Sequence, residues 1–302
     1  MLRLAMIAIL VVSPLLFFAS EAAAKPFVIS KVSDNPKKHY AYLKPMADYL
    51  AKHLSEFGYT EGQVLMAKNN KQMIRYLRKK KVDLVTETIF SSVVFQDKAG
   101  AEFLVKKWKK GQRDYEAIIF ARKDSNINTF DDFKGKVIAF EDPGSTSAFF
   151  VPAAMLLTQG LKLEKLESIR EQPYPDSVGY VFSNEEINTS TWVHKNLVQI
   201  GALNDHDWHK SDHLPKSYRD DFKIIAKSQR LPRAIELVRP GMSDALKDKL
   251  KALLLNMHND PSAATILAGY QRTTKFEEFD DSITDTIAYA RNVVNLLKTK
   301  LD

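Results

Sequence analysis

The chain has 302 residues, 45% hydrophobic and 27% charged, and 44 lysines and arginines against 37 aspartates and glutamates give a net charge of +7. It contains no cysteine, which excludes disulfides and thiol chemistry and leaves stability to packing, and the length suggests two lobes rather than one core. The positive balance suits an anionic ligand, a nucleic acid, an acidic membrane surface or plain solubility, but the basic residues are scattered among acids apart from Lys106–Lys110 and Arg78–Lys81, and neither run sits in a nucleic-acid module.

Met1 to Arg3 is a short basic start, Leu4 to Phe18 is almost continuously apolar, and Ala22 to Ala24 supplies small residues. This pattern predicts a secretory signal peptide over residues 1–24 with cleavage before Lys25. The apolar run is short for a membrane anchor. No cysteine stands at the cleavage site for lipid attachment, so a soluble periplasmic protein is expected, with no stable membrane insertion after cleavage.

Phe27 to Val32 reads as a strand, and Tyr40 to Phe57 as an amphipathic helix with Leu43, Met46, Ala47, Leu50, Leu54 and Phe57 at helical spacing and Gly58 beyond its end. Gln63 to Ala67 reads as a strand, Asn70 to Lys80 as a helix, Val82 to Thr86 as a strand, Ser91 to Ala99 as a helix stopped by Gly100, and Glu102 to Trp108 as a strand. This alternation predicts a mostly parallel α/β sheet. Tyr115 to Arg122 is a further apolar strand, Thr129 to Gly135 a short helix, Lys136 to Phe140 a strand, and Trp192 to Ile200 a helix ended by Gly201. Phe222 to Ala226 reads as a strand able to lead the chain back to the first lobe, followed by a strand at Arg233 to Val238 and helices at Ser243 to His258, Pro261 to Tyr270 and Asp281 to Leu297. No low-complexity linker separates the lobes, so they are expected to exchange segments, one formed by 25–115 with 229–302 and the other by 116–228.

The strongest local signal is Phe140 to Pro152, where a strand gives way to a helix through Ser145-Thr146-Ser147. Free amides and the helix dipole favour negative charge at such a terminus, and three consecutive hydroxyls add donors. Simple capping needs only one of the three. Glu87 follows a strand at the end where open α/β sheets bind ligands, and it could hold a ligand amine or cap a helix. Tyr115 stands at the entry to the strand joining the lobes, where it could stack on or hydrogen-bond a ligand. His206, His209 and His213 have spacings of three and four that would share a helix face, yet with no fourth ligand they read as a solvated polar segment and no metal is expected. There is no nucleophile elbow, no phosphate loop and no dinucleotide-binding glycine pattern, so the chain reads as a binding protein without cofactor rather than an enzyme.

Asp131 to Ser147, with Pro152 and Leu156 downstream and Tyr115 to Ile127 upstream, resembles the phosphate/phosphite/phosphonate-binding proteins of ABC importers. Val82 to Leu84 and Ala99-Gly100 fit the same pattern, and the resemblance runs from about Phe27 to about Phe276. It implies an α/β fold of the two-lobe, type II periplasmic-binding-protein kind, with crossover strands and an interlobe ligand cleft. It further implies a small oxyanion ligand, an ABC permease as partner and a monomeric protein, with a sensory subunit or a phosphoester hydrolase as alternatives. By the same resemblance Ser145, Thr146 and Ser147 match the oxyanion-binding hydroxyls and Tyr115 a cleft tyrosine. The family's glycine after the hydroxyls is Ala148 here, a second cleft tyrosine falls near Ser92, a histidine ligand near Thr191, and an aspartate at Asn204, beside Asp205.

Overall fold

A computed structural model describes residues 25–301 other than Asp34, so the expected signal peptide lies outside the described residues. The first half of the chain runs β1 (Lys25–Ser30), α1 (Pro36–His53), β2 (Tyr59–Val64), α2 (Asn70–Arg78), β3 (Leu84–Glu87), α3 (Ile89–Ala99), β4 (Glu102–Lys107), β5 (Asp114–Tyr115), β6 (Ala117–Arg122), β7 (Val137–Phe140) and α4 (Val151–Thr158). The second half runs β8 (Lys162–Lys165), β9 (Ser177–Phe182), α5 (Glu186–His194), β10 (Ile200–Asn204), α6 (Asp205–His209), α7 (Lys216–Asp220), β11 (Phe222–Lys227), β12 (Leu231–Pro232), β13 (Ile235–Val238), α8 (Asp244–Asn256), α9 (Ala264–Gly269), β14 (Phe276–Glu277) and α10 (Ile283–Leu301).

Two six-stranded sheets result, ordered β14-β4-β13-β3-β1-β2 and β11-β6-β10-β7-β9-β8. Both are mixed rather than mostly parallel. In the first, β1 pairs in parallel with β2 and β3, while β13 returns from the second sheet and inserts antiparallel between β3 and β4. In the second, β7, β8, β9 and β10 run parallel, and β6 lies antiparallel between β10 and β11. An alternating βα sequence accounts for the parallel strands; the antiparallel ones arise because the chain leaves each sheet and re-enters the other.

The apolar run expected as one strand from Tyr115 divides at Glu116. Its first two residues form β5, which pairs antiparallel with β12, Tyr115 opposite Leu231. These short strands are the two crossings between the sheets. The return therefore runs through β12, while β11 ends as an edge strand of the second sheet. The helix expected over Trp192 to Ile200 is also different: α5 starts at Glu186 and stops at His194, and Ile200 with Gly201 belongs to β10. Gly201 is there for close packing, since a Cβ would lie 2.5 Å from the Phe120 ring, and not as a helix stop.

The largest core runs through both sheets, from Val85, Ile89 and Phe90 to Ile119, Ile138 and Phe140, and takes in Ala290, Val293 and Leu297 of α10. Helix α10 packs on α3 and on α4, touching elements of both sheets. A second core lies under α1, α8 and α9, and a third covers the far face of the second sheet around Phe120 and Trp208.

Candidate functional site

The site is built where β7 ends. Ser145 has an extended backbone and caps the turn that follows: its hydroxyl accepts from the Ala148 amide at 3.3 Å and donates to Glu141 Oε2 at 2.9 Å. Thr146 to Phe150 then forms a π-type turn that runs into α4 at Val151, with Pro152 tolerated in the first turn because no amide is needed there. The cap uses only Ser145, so the other two hydroxyls are left over. Thr146 and Ser147 are 3% and 5% exposed, and Thr146 Oγ1 is buried without a hydrogen-bond partner among the described residues. Both hydroxyls lie beside the Tyr115 phenol, whose ionisation burial pushes up. A buried hydroxyl left unsatisfied is unfavourable, which singles Thr146 out as a candidate ligand contact.

Positive charge gathers over the ring of Tyr115. The Arg233 guanidinium lies over the Tyr115 ring at 4.6 Å from its centroid. Arg233 is 8% exposed, and its Nε has no hydrogen-bond partner among the described residues. The turn from Lys109 to Gln112 is held next to it, because the Arg233 amide donates to the Arg113 carbonyl at 2.9 Å and the Lys107 amide to the Ala234 carbonyl at 2.9 Å. Burial, and then the charges of Arg233, Lys31, Lys107 and Lys110, hold the Lys109 ammonium well below the ordinary lysine range. Burial also lowers Lys110, against the opposing pull of Asp207. Lys107 is fully buried but paired: its Nζ meets Glu236 at 3.1 Å and Gln271 Oε1 at 2.9 Å and bonds the Thr86 hydroxyl.

The structure thus brings Thr146, Ser147 and Tyr115 together with Ser145 as their cap. Glu87 is buried and occupied, accepting from the Val32 amide at 2.8 Å, from Lys31 Nζ at 3.2 Å and from the Thr88 amide at 3.3 Å. Asn204 caps α6, with its oxygen accepting from the Asp207 amide at 2.9 Å and its amide group bonded to the Asp207 carboxylate. Thr191 is half-buried within α5. Ala148 is buried inside the π-type turn, and the Ser92 hydroxyl donates back to the Thr88 carbonyl at 2.8 Å within α3.

The three histidines do not converge. His213 stands with Glu186 and Asp207, its Nδ1 2.8 Å from Asp207 and its Nε2 2.7 Å from Lys210 Nζ, so both ring nitrogens have partners. Glu141 is an acid the motif reading passed over. Burial, and then the charge of Glu186, push its carboxyl up to about 7, against the bond from Ser145. Arg233 and Lys109 were likewise not singled out. The Lys106–Lys110 run is the sequence sign of Lys109, and it does not reveal which lysines turn inward; it says nothing of Arg233.

A family model described as "ABC transporter, phosphonate, periplasmic substrate-binding protein" matches residues 31–283. The chain belongs to this family. A curated member, the phosphate-import protein PhnD of Mycolicibacterium smegmatis, is 32% identical over 161 residues, a match covering 49% of this chain and 46% of that protein. The aligned part thus spans about half the length of the curated relative. Among solved structures, XAC2383 from Xanthomonas citri bound to ATP is 31% identical with a TM-score of 0.84, covering 91% of this chain and 99% of that one; the chloride-bound form is 32% identical with the same score. PhnD1 from Prochlorococcus marinus, solved with methylphosphonate, is 16% identical with a TM-score of 0.60 over 89% of this chain and 98% of that one, a likeness in fold. The fold is the two-lobe α/β fold of type II periplasmic binding proteins. Among the described residues no helix is long and apolar enough to cross a membrane.

Proposed function

We infer that this chain is the solute-binding component of an ABC importer, exported to the periplasm, and that it receives a small oxyanion of the phosphonate, phosphate or phosphite class between its lobes for delivery to a permease. The observation that carries this reading is the unpartnered Thr146 hydroxyl, which with Ser147 faces Tyr115 beside the buried Arg233. Hydroxyl and amide donors at the start of a helical segment, reinforced by an arginine, suit a tetrahedral anion and disfavour a cationic ligand. The relatives support an anion as well, since one imports phosphate and another was solved with ATP and with chloride. Lobe closure would exclude water and strengthen these bonds. The reading is of capture rather than catalysis, because the family model that matches the chain describes a substrate-binding protein.

Isothermal titration with phosphate, phosphite, methylphosphonate and ATP tests it. Micromolar or tighter binding of at least one is expected, weakened about tenfold or more in Thr146→Val, which keeps the shape and removes the donor. No heat and no thermal stabilisation with any of the four would overturn it.

A further inference from the structure

We propose that Glu186, Asp207 and His213 bind a divalent transition-metal ion, zinc by the nature of the donors. This metal site goes beyond the oxyanion reading and does not rest on it.

The three side chains come from separate segments that the second sheet brings together. Strands β7, β9 and β10 run parallel, so their C-terminal ends lie along one edge. The hydroxyl turn follows β7, Glu186 opens α5 after β9, and Asp207 lies in α6 after β10. His213 stands in the loop after α6. Its carbonyl accepts from the Ser190 hydroxyl of α5 at 2.7 Å, and its amide donates to the Lys210 carbonyl at 3.0 Å. One ligand atom from each of the three residues lies within 4.8 Å of the others. His213 Nδ1 is 2.8 Å from Asp207 Oδ1 and 3.7 Å from Glu186 Oε1. Donors on a tetrahedral zinc with bonds of about 2.0 Å stand about 3.3 Å apart, a value these two distances bracket. The second carboxylate oxygen of Asp207 is bonded to the Asn204 side-chain amide, which orients it as an outer-shell partner orients a metal ligand. Histidine spacing does not reveal this set, because one histidine takes part and its partners come from two other segments.

An ion pair alone does not account for the cluster. Lys210 Nζ lies 2.7 Å from His213 Nε2, and an ammonium can only donate. Nε2 is therefore the acceptor, Nδ1 carries the ring proton toward Asp207, and the imidazole is neutral. Two carboxylates thus converge on a ring without charge. Asp207 is 3% exposed, and Glu186 at 3.7 Å is beyond hydrogen-bond reach of Nδ1. A metal takes the place of the proton on Nδ1, and that proton moves to Nε2. Lys210 then releases Nε2 and keeps Asp212, which is already 2.8 Å from its Nζ. Lys210 is in this way a built-in competitor of the metal. One imidazole with two carboxylates suits zinc, whereas magnesium and calcium take all-oxygen sites. Three protein ligands leave a fourth position for water.

Zinc chloride titrated into the full mature chain in phosphate-free buffer tests the site, read by competition with a fluorescent chelator and by thermal shift. One equivalent is expected to bind with a Kd of about 10 μM or tighter, and magnesium at least about a hundredfold more weakly. Zinc should also raise the melting temperature, since it binds the folded chain. His213→Gln and Glu186→Gln should each weaken zinc at least about tenfold. Glu186 is partly exposed and its replacement has the same shape, so this variant reads the effect even where the His213 change unfolds the protein. His206→Gln with His209→Gln should leave the affinity within about threefold, and Lys210→Met should tighten it. No zinc binding below about 100 μM, or full affinity retained in both Glu186→Gln and His213→Gln, would overturn the site. Magnesium binding as tightly as zinc would overturn ligation by the imidazole, and an affinity unchanged in Lys210→Met would overturn ligation through Nδ1.

Discussion

Glu141 combines the electrostatics of the site in one side chain. It is raised by burial and by Glu186, so its carboxyl is protonated below about pH 7. A carboxyl raised in the folded state contributes fully below its unfolded value near 4.5, and that contribution is lost as pH rises through about 7. Ligand-free stability should therefore fall across pH 5 to 8 by on the order of 2 kcal/mol more than in Glu141→Gln, which keeps the acceptor for Ser145. Urea melts at several pH values measure this difference, and parallel profiles for the two proteins would count against it. Lys107 and Glu236 make the opposite case of a satisfied buried pair, with Tyr270 donating to Glu236 at 3.1 Å. Lys107→Met leaves that carboxylate without its cation and should cost about 3–5 kcal/mol, read by chemical denaturation; a loss under about 1 kcal/mol would mean the pair is not charged as drawn. Thr146 and Ser147 stand out as candidates in the sequence because the chemistry of a helix start is local, whereas Tyr115, on β5, stands out through its place before the interlobe strand and through the resemblance. Arg233 and Lys109 do not, because only the β5–β12 crossing places one beside the other.

At the scale of elements, the strands and helices with clean periodicity are where the sequence puts them. Helix α1 buries Leu43, Met46, Ala47 and Leu50 as its spacing predicts; it begins a turn early because Pro36 suits a first helical position, and it stops at His53, with Leu54 buried just beyond it. Strands with mixed signals were lost. Lys162–Lys165 is four residues of alternating charge at a sheet edge, and Gly201 inside β10 resembles a helix terminator. A glycine can terminate a helix or admit a close neighbour, and sequence does not separate the two. Gly62 of β2 is a further case of close approach: a Cβ there would lie 2.2 Å from the backbone of Ala47 in α1. Backbone cannot yield as a side-chain tip does, so Gly62→Ala should destabilise by about 3 kcal/mol or more by forcing α1 off the sheet. The contrast is Gly160→Ala, which meets no atom within 4 Å and pays only for a φ of +80°. Thermal melts that rank the two the other way would refute this account of α1 packing.

The whole molecule is held by more than its two crossings. Phe90 of α3 stacks on Phe150 at 5.4 Å, directly behind the hydroxyl turn, and α10 lays Val293 and Leu297 into the same apolar cluster. Since that cluster draws on both sheets, the lobes share their largest core, although each also carries a smaller one of its own. The second lobe should therefore not unfold before the first, and calorimetry should show one cooperative transition with matching calorimetric and van't Hoff enthalpies. Leu297 is 5% exposed and borders Phe90 and Phe149 in the groove between α3 and α4. Leu297→Ala should cost about 2–4 kcal/mol and, by loosening the shared cluster, broaden or split the transition. Two resolved transitions in the unsubstituted protein would show that the lobes are stable independently. A sharp, merely shifted transition in the variant would show that the crossings alone couple them. Under the first outcome closure on an anion would be free hinge motion; under the shared core argued here, closure and α10 packing are one equilibrium, and Leu297→Ala should weaken anion affinity although the side chain lies outside the site.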